Sequence, residues 1–188
     1  MAEFSKLWRG VPQFASLFKQ VAQRREFCFS FNIADRRPVG CLCYWRATPR
    51  VTELGDDAAV EFFQARRAEG KLLATIVGGE PYVRPDLLRR VTPIMPENWV
   101  VTSATTPLLA LPNTTHFVSI DCRDAETHDA VRRSPGLYDR IIRNMSKARA
   151  QGPFPVFVHS VLNALNYKQG ADILRAGAGI ASSASRNS

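Results

Sequence analysis

The sequence predicts an α/β fold: a parallel sheet of about five strands with crossing helices and an added amino-terminal helix. Three observations predict it. Short β-rich apolar runs alternate with amphipathic helical stretches between residues 27 and 161, as strand–helix–strand crossovers require. The 188 residues suffice for one substantial core and are too few for two ordinary ones. Glycine and polar residues recur just after the predicted strands, the end at which parallel α/β sheets gather their ligands.

Phe4, Leu7, Trp8, Val11, Phe14, Leu17, Phe18 and Val21 recur at spacings of three and four, an amphipathic helix broken or bent at Pro12. Phe27 to Ile33 then alternates with period two and is rich in aromatics, which predicts the first strand. A loop with two thiols follows. Asp56 to Glu69 reads as a helix with Val60, Phe62 and Phe63 inward and Gly70 as its stop.

Leu72 to Val77 is the second strand, and Arg84 to Val91 a short helix that starts beside Pro85 and stops before Pro93. Trp99 to Ser103 and His116 to Asp121 are strands three and four. Helices are predicted over Asp124 to Arg133 and Gly136 to Ala150, the second with Leu137, Ile141, Ile142 and Met145 as its buried stripe. Phe154 to Val161 is apolar enough to be a fifth strand buried on both faces. This divides the chain into residues 1–25, an amphipathic helix; 26–170, the core domain; and 171–188, a Gly-, Ala- and Ser-rich tail with too little apolar content to pack.

The formal net charge of +8 favours acidic partners in general. Its basic residues come in scattered pairs (Arg24-Arg25, Arg36-Arg37, Arg66-Arg67, Arg89-Arg90, Arg132-Arg133), the pattern of a solvated surface more than of one nucleic-acid groove. Cys28, Cys41, Cys43 and Cys122 make no disulfide framework, and no apolar run reaches the roughly 20 residues of a membrane span. With no cleavable leader visible, a cytoplasmic location is expected.

Two stretches carry chemistry. Gly78-Gly79-Glu80-Pro81 follows a buried strand, so backbone can approach a ligand and the Glu80 carboxylate can meet a cationic group. Cys41-Leu42-Cys43-Tyr44-Trp45 offers two soft ligands to iron or zinc. A zinc site needs two further ligands, and His116, His128 and His159 have no metal spacing around the thiols.

In this order and on this strand pattern the two motifs resemble the radical SAM superfamily. Arg84-Pro85-Asp86-Leu87-Leu88, Thr102-Ser103, Val118-Ser119-Ile120-Asp121, Glu126 to Arg132, and Val161 to Asn166 resemble it in turn, so the likeness covers roughly residues 27–166. It implies a partial parallel (β/α) barrel and a [4Fe-4S] cluster that reduces S-adenosyl-L-methionine to a 5′-deoxyadenosyl radical for hydrogen abstraction from an unidentified substrate. An electron donor such as flavodoxin or ferredoxin would serve it. The resemblance places Cys41 and Cys43 on the cluster and Tyr44 near adenine. It places Gly78, Gly79, Glu80 and Pro81 at the methionyl end, and Thr102, Ser103, Asp121, Arg132 and Asn163 around ribose or carboxylate.

This sequence departs from the family's Cys-x3-Cys-x2-Cys pattern. Arg37 stands where the first thiolate belongs, and a single residue separates Cys41 from Cys43. A guanidinium has no lone pair to give iron. Cys28 lies about 16 Å from the loop along its strand. Cys122 is at the correct end of strand four, but reads first as a small buried apolar side chain. Three readings follow: a radical SAM enzyme or part of one, a non-catalytic binding or interaction protein on the same scaffold, and a basic peripheral protein that docks on membrane or nucleic acid.

Overall fold

Five strands form one sheet whose spatial order equals their chain order: β1 (Cys28–Ala34), β2 (Leu73–Gly78), β3 (Glu97–Thr102), β4 (Thr114–Ser119) and β5 (Val156–His159). All four pairings are parallel. The computed structural model describes residues 15, 17–23, 26–36, 38–40, 52–151, 155–162, 164, 166–173 and 175. A helix crosses over between most neighbours: α1 (Asp56–Ala68), α2 (Pro85–Val91), α3 (Ala125–Arg132) and α4 (Leu137–Ala150).

Local chemistry sets the helix ends. Asp56 and Asp57 put acid in the first turn of α1 and Arg66 and Arg67 put base in its last, each matching the helix dipole. Gly70 follows at φ +90°, the left-handed exit only glycine adopts freely. Pro85 opens α2, and the Asp124 carboxylate caps α3 by accepting from Thr127 N at 2.8 Å. Asp129 does the same for α4, accepting from Leu137 N at 3.2 Å and Tyr138 N at 2.9 Å.

Period-two alternation sorts the strands into two faces. Phe31, Ile33, Ala74, Ile76, Val100, Val118 and Ile120 form the core with Phe63, Leu87, Leu88, Val91, Ile141 and Met145 of the helices. Phe29 and Phe31 meet Phe62 and Phe63 with ring centroids 5.1–5.7 Å apart, three of the four contacts edge-to-face. The other face carries an aromatic row across three strands. Trp99 lies 5.2 Å from Phe117, which stacks 5.7 Å from Phe157.

That second face is only partly covered, which corrects the reading of strand five as buried on both sides. Phe157 is 58% exposed and His159 is exposed, because helices cover one face of this last strand and, among the described residues, nothing comparable covers the other. Strand five is also shorter than predicted. Residues 17–22 are helical as expected, and the Gln20 amide donates to the Gly70 carbonyl just ahead of β2. The rest of the predicted amino-terminal helix, Phe4 to Phe14, lies outside the described residues. At the other end residues 170–173 are helical, with Ile173 buried. Among the described residues no helix is long and apolar enough to cross a membrane.

Candidate functional site

Parallel strands leave all their carboxyl ends on one edge, so the turns after β2, β3, β4 and β5 meet there. Gly78 ends β2 at φ +148°, with Gly79 N donating to Ala34 O at 2.6 Å. A Cβ on Gly78 would stand 2.4 Å from Ala34 O and 2.7 Å from Asn32 Oδ1. This glycine is therefore demanded by the close passage of β1.

Glu80 follows, 1% exposed, at the head of the 3-10 turn Pro81–Val83. Its Oε1 accepts from Tyr82 N at 3.2 Å and Thr102 Oγ1 at 2.6 Å. Its Oε2 accepts from Ser103 N at 2.8 Å and from the Ser103 hydroxyl. Four donors fill a carboxylate's acceptor sites. Gly78, Gly79, Glu80, Pro81, Thr102 and Ser103 are thus one bonded unit, and within it the Glu80 side chain binds β3 to the turn after β2.

The next stretch is braced in a similar way. Ala104 has φ +50°, its N–H donates to Thr102 Oγ1 at 2.9 Å, and its carbonyl accepts from Asn144 Nδ2 of α4 at 2.8 Å. Tyr82 is buried with its hydroxyl accepting from Leu109 N, and burial pushes its phenol above the ordinary range.

Asp121 and Arg132 come together past β4. Arg132 Nε and Nη2 donate to Asp121 Oδ2 at 2.9 and 2.5 Å, and Val161 N donates to Asp121 Oδ1 at 3.1 Å. The carboxylate thereby joins the turn after β4 to the one after β5. Asn166 completes this join, donating from Nδ2 to Asp121 O at 2.7 Å and Val161 O at 2.9 Å. Ser160 Oγ is buried there with no hydrogen-bond partner among the described residues.

Asn166 and Arg84 are the residues that sequence reasoning missed. Arg84 donates from Nη1 to Ile33 O at 2.7 Å, and from Nη2 to Leu54 O at 2.8 Å and to Asp56. It locks the loop ahead of α1 to the end of β1. A cation just after Gly-Gly-Glu-Pro was its only signal, while Asn163 was chosen over the neighbouring Asn166. Asn163 lies outside the described residues, as do Cys41, Cys43 and Tyr44.

Among the described residues no group of three or more His, Cys, Asp or Glu side chains could hold a metal ion. Cys122 is fully buried, and burial, with Asp121 and Asp124 adding to it, pushes its thiol up to about 11. Cys28 begins β1, about 20 Å by strand rise from the edge where that strand ends. His116 is buried among the helix-facing residues of β4, its imidazole lowered to about 4 by burial. His128 sits on α3 with its ring 5.5 Å from Tyr138, also lowered, first by burial and then by Arg132.

A parallel sheet in chain order, crossover helices on one face and polar turns gathered at one edge define a partial (β/α) barrel with a polar rim. No protein-family model matches the chain. The AdoMet-dependent heme synthase of Methanosarcina barkeri (strain Fusaro / DSM 804) is 28% identical over 127 residues, covering 62% of this chain and 36% of the relative. Streptococcus suis SuiB bound to precursor peptide SuiA superposes with a TM-score of 0.70 at 13% identity, over 89% of this chain and 40% of that one. SuiB bound to S-adenosylmethionine gives 0.66 at 13%, over 82% and 38%. TYW1 with a lysine-pyruvate adduct bound gives 0.53 at 12%, over 82% and 72%.

The chain is similar in sequence to this heme synthase and carries a partial (β/α) barrel of the radical SAM type. It spans little more than a third of the curated relative it matches.

Proposed function

We propose that this chain is a non-catalytic binding protein on the radical SAM scaffold, with a ligand rim but no competent iron–sulfur cluster. What carries this reading is the thiolate inventory. Arg37 replaces the first thiolate, Cys41 and Cys43 are one residue too close, and Cys28 begins β1 at the end of the strand away from the loop.

The rim supports a retained ligand. The Glu80 and Asp121 networks hold the turns in place without a ligand, and the Ser160 hydroxyl is left buried with a hydrogen bond to give. S-adenosylmethionine is the first compound to test, because SuiB binds it and the related heme synthase is AdoMet-dependent. With the Glu80 carboxylate saturated, the backbone of residues 78–81 would meet its methionyl end.

The catalytic reading rests on the same Gly78-Gly79-Glu80-Pro81 turn together with Cys41 and Cys43, and only that reading requires an electron donor. Anaerobic reconstitution with iron and sulfide separates the two. The expected result is adventitious iron alone, with S-adenosylmethionine binding detected by calorimetry whether or not iron is supplied. A cubane EPR signal that changes on adding S-adenosylmethionine would overturn the proposal in favour of the enzyme.

A further inference from the structure

Ion pairing sorts the basic residues unevenly over the fold. Arg66 pairs with Glu69, Lys71 with Glu26, Arg89 with Asp86, Arg90 with Asp57, Arg123 with Asp172 and Arg132 with Asp121. Members of four of the arginine pairs in the sequence are thereby neutralised, Arg36 included through Glu53. The outer face of α4 is different. Arg140, Arg143 and Lys147 are all exposed there, and no described acid lies in ion-pair range of any of them.

Their spacing of three and four places the three cations within about 60° of one another around the helix and over about 10 Å of its length. Arg133, exposed in the left-handed turn that ends α3, precedes them at the approach to α4. Asp139 is the only acid on the helix, against Arg140, Arg143, Lys147 and Arg149. The opposite side of α4 is fixed in the core through Leu137, Ile141, Met145 and Ala148, so the cations stand on a rigid support.

We propose that the Arg140, Arg143 and Lys147 face of α4 binds the phosphodiester backbone of a nucleic acid. Guanidinium forks match phosphate oxygens in pairs, and a row of cations that outnumbers the single acid beside it gains by releasing counterions from a polyanion. A lipid surface is the poorer match. The other exposed positions of this face are Asp139, Ser146 and Ala150, and Ile142 is turned to the core, so no large apolar side chain is available to enter a bilayer. The contact is with the backbone, so affinity is largely independent of base sequence. The proposal uses none of the rim residues, so it stands or falls separately from the one above.

Fluorescence anisotropy of the full chain with a labelled mixed-sequence single-stranded RNA, titrated at several salt concentrations, tests it. Three phosphate contacts give a log–log salt slope of roughly −2 for a single strand. The triple variant R140Q/R143Q/K147Q is expected to lose at least about tenfold in affinity at low salt and most of that slope. Each single substitution loses a share, which keeps the test valid should the triple variant not fold. Arg67→Gln, an exposed cation on α1, is expected to bind as the wild type does. An unchanged triple variant, an equal loss in Arg67→Gln, or binding to phosphatidylglycerol vesicles without binding to RNA would each overturn the proposal.

Discussion

Ser103 grips Glu80 twice, with its backbone N–H and its hydroxyl both directed at Oε2 of a carboxylate that is buried. The turn after β2 and the end of β3 are consequently one rigid unit, and the Glu80 side chain faces its own scaffold.

Replacing Glu80 should therefore be felt first as lost stability. Glu80→Gln keeps the size but turns an amide N–H₂ toward donors, and Glu80→Ala leaves the Thr102 and Ser103 donors buried and unpaired. Charge-assisted and orphaned hydrogen bonds of this kind predict a loss of about 2–4 kcal/mol for either variant. Urea unfolding followed by circular dichroism measures it. Thr102→Val removes both a donor to Glu80 and the acceptor of the buried Ala104 N–H, and should cost about 2 kcal/mol.

Gly78→Ala tests the passage of β1 past β2. The added methyl would meet Ala34 O at 2.4 Å in a backbone conformation that L residues rarely adopt. A loss of at least about 2 kcal/mol is expected, with faster hydrogen exchange at Ala34 and Gly79 as the local signature. Equal exchange in the two proteins would show that β1 tolerates the displacement.

His116 makes stability depend on pH. Its imidazole titrates at about 4 in the fold against an ordinary 6.5, because burial penalises the cation. Between those values the unfolded chain holds the extra proton, so stability falls as pH drops from about 6.5 to about 4 and this contribution is constant above that window. The full effect is about 3 kcal/mol. His128 is lowered as well and adds in the same direction. Urea midpoints measured from pH 7 to pH 4 should fall less steeply in His116→Leu than in the wild type.

The fold was legible because each element wrote its own signal. Period-two aromatics marked β1, Gly70 and Pro93 marked helix ends, and the alternation of strand and helix over most of the chain implied a parallel sheet. Strand ends were less legible. Register hydrogen bonds extend β3 back to Glu97 and β4 back to Thr114, positions whose polar side chains hide their strand character. Apolar content likewise suggested that β5 is buried on both sides, since composition does not reveal that only one side has helices to meet.

The rim was read at the level of residues but not of bonds. Glu80, Thr102 and Ser103 were singled out separately as ligand contacts, and only the spatial neighbourhood of β2 and β3 shows them bonded to one another. Asp121 and Arg132 are eleven residues apart, a separation that α3 closes by returning its last turn to the end of β4. Asn166 had no distinguishing pattern, because its role depends on where β5 ends.

The sheet's strand order has a consequence for synthesis. Because every strand lies beside its predecessor in the chain, each strand after the first can dock as it leaves the ribosome onto an edge that already exists. No strand has to wait for a later one to be inserted between it and its neighbour. The strand order thus permits assembly to follow translation, from β1 to β5.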